Sequence, residues 1–259
     1  MRLATWNVNS LTARWERVAG WIEEHAPDVL CMQETKQDDA RFPYQGFKEL
    51  GYEAVHHGEG RWNGVAIASR VGHAGVRKGF GTVEDEVGAR FLGANVAGIE
   101  VMSCYVPNGR ALDDPFYAKK LAWLDRLAVV VGALGGRPLI VAGDFNVAPA
   151  DLDVWDPAAL EGQTHVSVAE RERIGALLAL GLTDAIRARR GDEQVFTWWD
   201  YRMGAFHRGW GLRIDLVLCS QAIADALLDA FVDRQARKGT KPSDHAPVVI
   251  DFDWTERGG

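Results

Sequence analysis

Short apolar runs that stop at polar clusters recur along the whole chain, and no linker interrupts them. Leu3–Val8, Val29–Gln33, Gly64–Ser69, Asn95–Tyr105, Pro138–Gly143, Ile214–Cys219 and Val248–Asp253 all read as strands. Helical periodicity fills some of the gaps. Residues 11–25 place Trp15, Val18, Ala19 and Ile22 on one face, with Ser10 as N-cap. Residues 116–134 bring Leu121, Leu124, Leu127 and Ala128 into phase, residues 168–180 predict a third helix, and residues 182–190 a short fourth. Strands separated by amphipathic helices imply layered α and β in a single domain, residues 1–259. TWNVNS, QET and GDFN each follow a strand and SDH precedes one, so a rigid scaffold presents their side chains at a sheet edge.

Charge and composition narrow the function less. The net charge of -7 gives no overall pull toward a polyanion. Two runs do: residues 201–213 carry three arginines and a histidine without an acid, and residues 234–241 carry four cations without one. Ten tryptophans can fill a thick core or stack on bases. Cys31, Cys104 and Cys219 are odd in number and lack CxxC spacing, which argues for buried thiols rather than disulfides or zinc. No signal-peptide pattern and no membrane-length apolar run is present, so a cytoplasmic protein without membrane contact is expected.

The polar clusters hold hard oxygen ligands, amides and one imidazole. Asn7 is a turn residue or a donor to an anionic oxygen. Glu34 either faces water beside Lys36 or binds a cation such as Mg²⁺, which takes only one or two protein carboxylates. Asp144 and Asn146, two apart in an extended segment, are expected to face one target while Phe145 turns inward. Asp215 interrupts an apolar strand and needs a buried partner, with His245 favoured over Arg213. Asp244 and His245, adjacent in extended chain, should point opposite ways. Neither GxSxG nor a P-loop occurs, and this inventory suits metal-assisted phosphodiester hydrolysis.

LATWNVNSLTAR, DVLCMQETK, GVAIASR, SCYVPNGR, VAGDFNVAP, FTWWDYR, GLRIDLVL and KPSDHAPV occur in this order from residue 2 to about residue 252. Together they resemble the exonuclease III family of apurinic/apyrimidinic (AP) endonucleases, within the endonuclease/exonuclease/phosphatase superfamily. The resemblance implies a four-layer α-β-β-α sandwich with the site at one edge. It implies a monomeric base-excision-repair phosphodiesterase that uses Mg²⁺, with Mn²⁺ as a substitute. Its substrate would be double-stranded DNA, incised 5′ to abasic sites, or trimmed or cleaned at 3′ ends.

The resemblance also assigns roles. Glu34 would bind the metal, with Asn7 beside it and Asp244 as a further ligand or outer partner. Asp144 would deprotonate the attacking water, Asn146 would hold that water or a phosphate oxygen, and Tyr105 would contact the phosphate. Asp215 would pair with His245, favouring an imidazolium that donates to a phosphoryl oxygen. Trp198, Trp199, Tyr201, Leu212 and Ile214 match the family's pocket and wedge region. Arg202 and Met203 would enter or contact the duplex, and Arg110 would touch it from a loop, NGRALDDPF, shorter than in some relatives. A phosphoesterase acting on lipids or inositols would have no use for WWDYR. A non-catalytic damage binder would lack a ligand or base.

Overall fold

The computed structural model describes residues 1–254. Its strands are β1 (Arg2–Asn7), β2 (Val29–Gln33), β3 (Glu53–His57), β4 (Val65–Ser69), β5 (Ala74–Lys78), β6 (Phe91–Val96), β7 (Ile99–Tyr105), β8 (Leu139–Asp144), β9 (Leu182–Asp184), β10 (Asp215–Ser220), β11 (Leu227–Val232) and β12 (Val248–Phe252). The principal helices are α1 (Leu11–His25), α2 (Tyr44–Glu49), α3 (Pro115–Gly132), α4 (Val168–Ala179) and α5 (Ala185–Arg190).

The strands form two mixed six-stranded sheets, ordered β11-β12-β1-β2-β4-β3 and β5-β6-β7-β8-β10-β9. Each sheet contains one parallel pair, β1 with β2 and β7 with β8; its other pairs are antiparallel. Leu3, Cys31, Ile67, Val248 and Ile250 of the first sheet pack against Leu92, Val101, Ile140, Ala142 and Val217 of the second. Opposite-facing residues of the first sheet, among them Ala4, Trp6, Leu30 and Met32, receive Val18, Trp21 and Ile22 of α1. Met102, Cys104, Val141, Leu216 and Leu218 receive Trp123, Leu124 and Leu127 of α3 and Ile174 and Leu177 of α4. Alternating strand residues therefore feed two faces, and the result is the expected α-β-β-α sandwich.

Ser10 caps α1, its Oγ accepting from the Ala13 amide; of the expected face, Val18 and Ile22 are buried and Trp15 packs half-buried against the same core, while Leu11 and Trp21 complete the buried stripe. The run Asn95–Tyr105 is two strands. Ala97 and Gly98 both take positive φ, 48° and 78°, and turn β6 directly into β7. Residues 182–190 begin as β9, and Asp184 then caps α5 through the Arg187 amide. All three cysteines are buried and free. Among the described residues, no helix is long and apolar enough to cross a membrane.

Candidate active site

Because each sheet has a parallel pair, two strands per sheet deliver their C-terminal ends to the same edge of the sandwich. Asn7 closes β1 and sits over the gap between the sheets. Its Nδ2 donates to Glu34 Oε1 at 2.8 Å and to Asp144 Oδ2 at 2.9 Å, while its Oδ1 accepts from the Asn9 amide at 3.0 Å. Glu34 follows β2 in a left-handed conformation, φ 52°, and its Oε2 lies 2.9 Å from Lys36 Nζ. Asp144 ends β8 and stands directly opposite Asp215, the first residue of β10. His245 comes from the segment before β12 in the other sheet. Its Nδ1 donates to Asp215 Oδ2 at 2.8 Å, and its Nε2 lies 3.8 Å from Asp144 Oδ2.

These contacts set the charges. Burial would push His245 down, but Asp215 and Asp144 outweigh it and raise it to about 10. The imidazole is therefore a cation at neutral pH, with Nε2–H turned toward the reacting side. Burial raises Asp144 to about 7 against the pull of His245, with Asp215 and Glu34 adding to the rise. Glu34 is also penalised by burial, yet Lys36, Asn7 and His245 hold it below its ordinary value. Two neighbouring carboxylates are thus driven apart, one able to exchange a proton near neutral pH and the other a standing anion. Tyr105, at the end of β7, is pushed upward by burial and by Glu34, so its hydroxyl keeps its proton and can donate.

Glu34, Asp144 and His245 offer ligand atoms within 4.8 Å of one another. An imidazolium has no free lone pair, so the carboxylate oxygens are what suits a hard divalent cation. Asn7 turns its NH₂ to both carboxylates and its Oδ1 to the Asn9 amide. Asp244 lies outside that group. Its carboxylate accepts from Trp198 Nε1 at 3.0 Å and Asn9 Nδ2 at 2.9 Å. Asp244 and His245 do face different partners, as alternation predicts.

Asn146 departs from the extended geometry expected of GDFN. Its φ is 51°, and its amide donates to Asp144 Oδ1 at 2.9 Å in an Asx turn. Asparagine is among the few non-glycine residues that adopt such a left-handed turn routinely. The turn sets the Asn146 amide on the Asp144 carboxylate while the Asn146 carboxamide donates to the Val106 carbonyl at 2.9 Å, and Phe145 between them is buried as expected. Sequence reasoning missed what holds this turn. Lys120, His165 and Asn108 all bond to Asn146. A lysine in register with the buried face of α3 was the available signal.

The match to a family model decides what this edge belongs to: the endonuclease/exonuclease/phosphatase family model spans residues 4–245. The chain belongs to that family. It is 32% identical to exodeoxyribonuclease III of Haemophilus influenzae, covering 97% of this chain and 100% of that one. A 3′ phosphatase from Neisseria, solved as an Asp-to-Asn variant bound to a product DNA hairpin, superposes with a TM-score of 0.95 at 40% identity, covering 98% of this chain and 100% of that one. An AP endonuclease from Archaeoglobus fulgidus gives 0.95 at 38%, with coverage of 98% and 100%. This family member is a hydrolytic nuclease of the DNA-repair kind.

Around the family's strand-end site, the residues expected to meet DNA fall into two groups. Tyr201 and Met203 are 50% and 73% exposed, and Arg202 and Arg110 are exposed beside Asp200 and Phe116. Trp198 is half-buried and bridges His245 on one side and Leu212 on the other. Leu212 and Ile214 are buried behind it with Val154 and Ala148, which keeps both from reaching DNA directly. Trp199 corrects the expectation of a DNA contact. It is 1% exposed, enclosed by Phe196, Ala205, Phe206 and Ala246. Two of the expected surface cations are also internal: Arg213 is paired with Asp153 and Asp184, and Arg237 donates to the Ser243 carbonyl.

Proposed function

We propose that this nuclease hydrolyses phosphodiesters of damaged double-stranded DNA, cutting 5′ to abasic sites or clearing 3′ ends, as a Mg²⁺-dependent cytoplasmic monomer. The observation that carries the reading is the continuous chain Glu34–Asn7–Asp144, closed by His245–Asp215. Asp144, near the pH at which proton transfer is most effective, takes the proton of the attacking water. Asn146 carries a carboxamide next to it to hold that water or a phosphate oxygen. His245 Nε2–H and the Tyr105 hydroxyl donate to phosphoryl oxygens on which charge accumulates. Asp215 keeps His245 protonated and turned. A divalent cation held by Glu34, with Asp144 close by, supplies further neutralisation of that charge; Mn²⁺ satisfies the same oxygen donors.

Trp198, on its Leu212–Ile214 backing, lines the space where an extruded nucleotide lies. Tyr201, Arg202, Met203 and Arg110 contact the duplex around it. An abasic nucleotide has no base to unstack, which lowers the cost of extrusion. The relatives act on both kinds of target, being AP endonuclease and 3′ phosphatase by their names. The test is a gel of end-labelled duplexes carrying an abasic site, a 3′-phosphate or neither, with Mg²⁺ and with chelator. Cleavage restored by Mg²⁺ is expected; no product from any duplex with the cation present sinks the proposal.

A further inference from the structure

Behind Asn146 lies a buried cation that the hydrolysis as described does not use. Lys120 on α3 and Glu170 on α4 are both fully enclosed at their side chains and form an ion pair. Lys120 occupies the inward stripe of α3 with Trp123, Leu124, Leu127 and Val131, where periodicity calls for an apolar residue. Its Nζ donates to the Asn146 carbonyl at 2.6 Å and to the Asn108 carbonyl at 3.2 Å. His165 Nδ1 donates to the same Asn146 carbonyl at 2.6 Å, and Asn108 Nδ2 to Asn146 Oδ1 at 3.2 Å. Glu170 also accepts from Thr164 Oγ1 and the His165 amide, tying the loop before α4 into the same knot.

We infer that Lys120, with Glu170 as its counter-ion, is a positioning residue for the Asn146–Asp144 pair. This rests on the reading that Asp144 and Asn146 carry out the hydrolysis. Asn146 holds a left-handed conformation that asparagine adopts more readily than most residues, so its exact position is set by the bonds around it. Its carbonyl is fixed by Lys120 and His165, and its amide fixes Asp144 Oδ1. Movement at residue 146 therefore displaces the base and the neighbouring carboxamide together. Stability alone does not account for the ion pair, because an apolar pair of similar volume commonly folds as well or better. What an apolar pair cannot supply is a donor to the Asn146 carbonyl.

The test is the double variant Lys120→Met with Glu170→Gln, which removes both charges yet keeps an acceptor for Thr164 and His165. With a melting transition confirming the fold, kcat on an abasic or 3′-phosphate duplex should fall about 10- to 100-fold, with KM within about twofold. Made in an Asp144→Asn background, the same change should cost almost nothing further, since it acts through residues 144 and 146. Near-normal kcat in the folded variant, a loss confined to KM, or a full additional loss in the Asp144→Asn background each overturns the inference. If Asp144→Asn alone keeps the normal rate, the reading of Asp144 has failed instead. Should the double variant not fold, Lys120→Arg carries the test by the same criteria, because it keeps the charge but shifts the donors.

Discussion

Asn7, Asp144, Asp215 and His245 at the floor of the site are buried and bonded into one network, whereas Tyr201 and Met203 on the rim stand half or more in solvent. The floor is made of strand ends and of residues within a few positions of them. The rim is drawn from the exposed residues of the stretch 198–203 and from the short loop after Tyr105. A floor that must place a proton within tenths of an ångström is built from backbone that cannot drift. A rim that must follow the shape of a duplex is built from side chains with few internal partners. Trp198 and Trp199 show the division at its sharpest, since neighbours in sequence fall on opposite sides of it.

The comparison breaks most readily at Asp144. Asp144→Asn should lower the single-turnover cleavage rate by about 10²–10⁴-fold, while duplex affinity by fluorescence anisotropy stays near normal; a comparable loss of affinity would move Asp144 from chemistry to binding. Next, Trp199→Ala should cost about 3–5 kcal/mol in denaturant unfolding, while Met203→Ala leaves the midpoint essentially unmoved. Equal midpoints would erase the boundary between floor and rim. Trp198→Ala should weaken substrate binding by about 1 kcal/mol, the scale of a lost apolar contact with the extruded sugar, with a smaller effect on kcat.

The pH–rate profile sharpens the same contrast with a smaller change. Asp144 must be ionised, so the Mg²⁺-supported rate should rise with pH along a lower limb set by Asp144, which stands at about 7 before a cation is bound. His245 must be protonated, so the rate falls as pH passes about 10. A bound cation favours the Asp144 carboxylate and moves the lower limb to more acid pH. His245→Gln should lower the rate throughout and abolish the upper limb; a variant that keeps the descent near 10 would assign it to another group.

Much of this was legible because burial and periodicity agree. Val29–Gln33 is apolar, short and flanked by polar residues, and its bounds coincide with β2. Residues 11–25 coincide with α1 for the same reason. β5 was invisible because all five of its residues face solvent, leaving no alternation to read. β9 was hidden because three residues cannot display a period. At the site, residue types told which groups meet but not how. An extended chain was expected to turn the Asp144 and Asn146 side chains to one target; a left-handed turn sets the Asn146 amide on Asp144 and the carboxamide on the Val106 carbonyl instead. Lys120, Glu170 and His165 support it from 26, 24 and 19 residues away. Arg213 seemed a candidate partner for Asp215; it lies before β10 begins and pairs instead with Asp153 and Asp184, leaving Asp215 to His245.

Asn7 and the segment carrying His245 come from one sheet, and their partners Asp144 and Asp215 from the other. The bonds that prepare the chemistry are therefore also the seam of the sandwich at that edge. Catalytic competence becomes a gauge of how the two sheets are aligned. A slip between them, too small to expose the core, would part Asn7 from Asp144 and His245 from Asp215. On warming, this protein should fall silent before it unfolds.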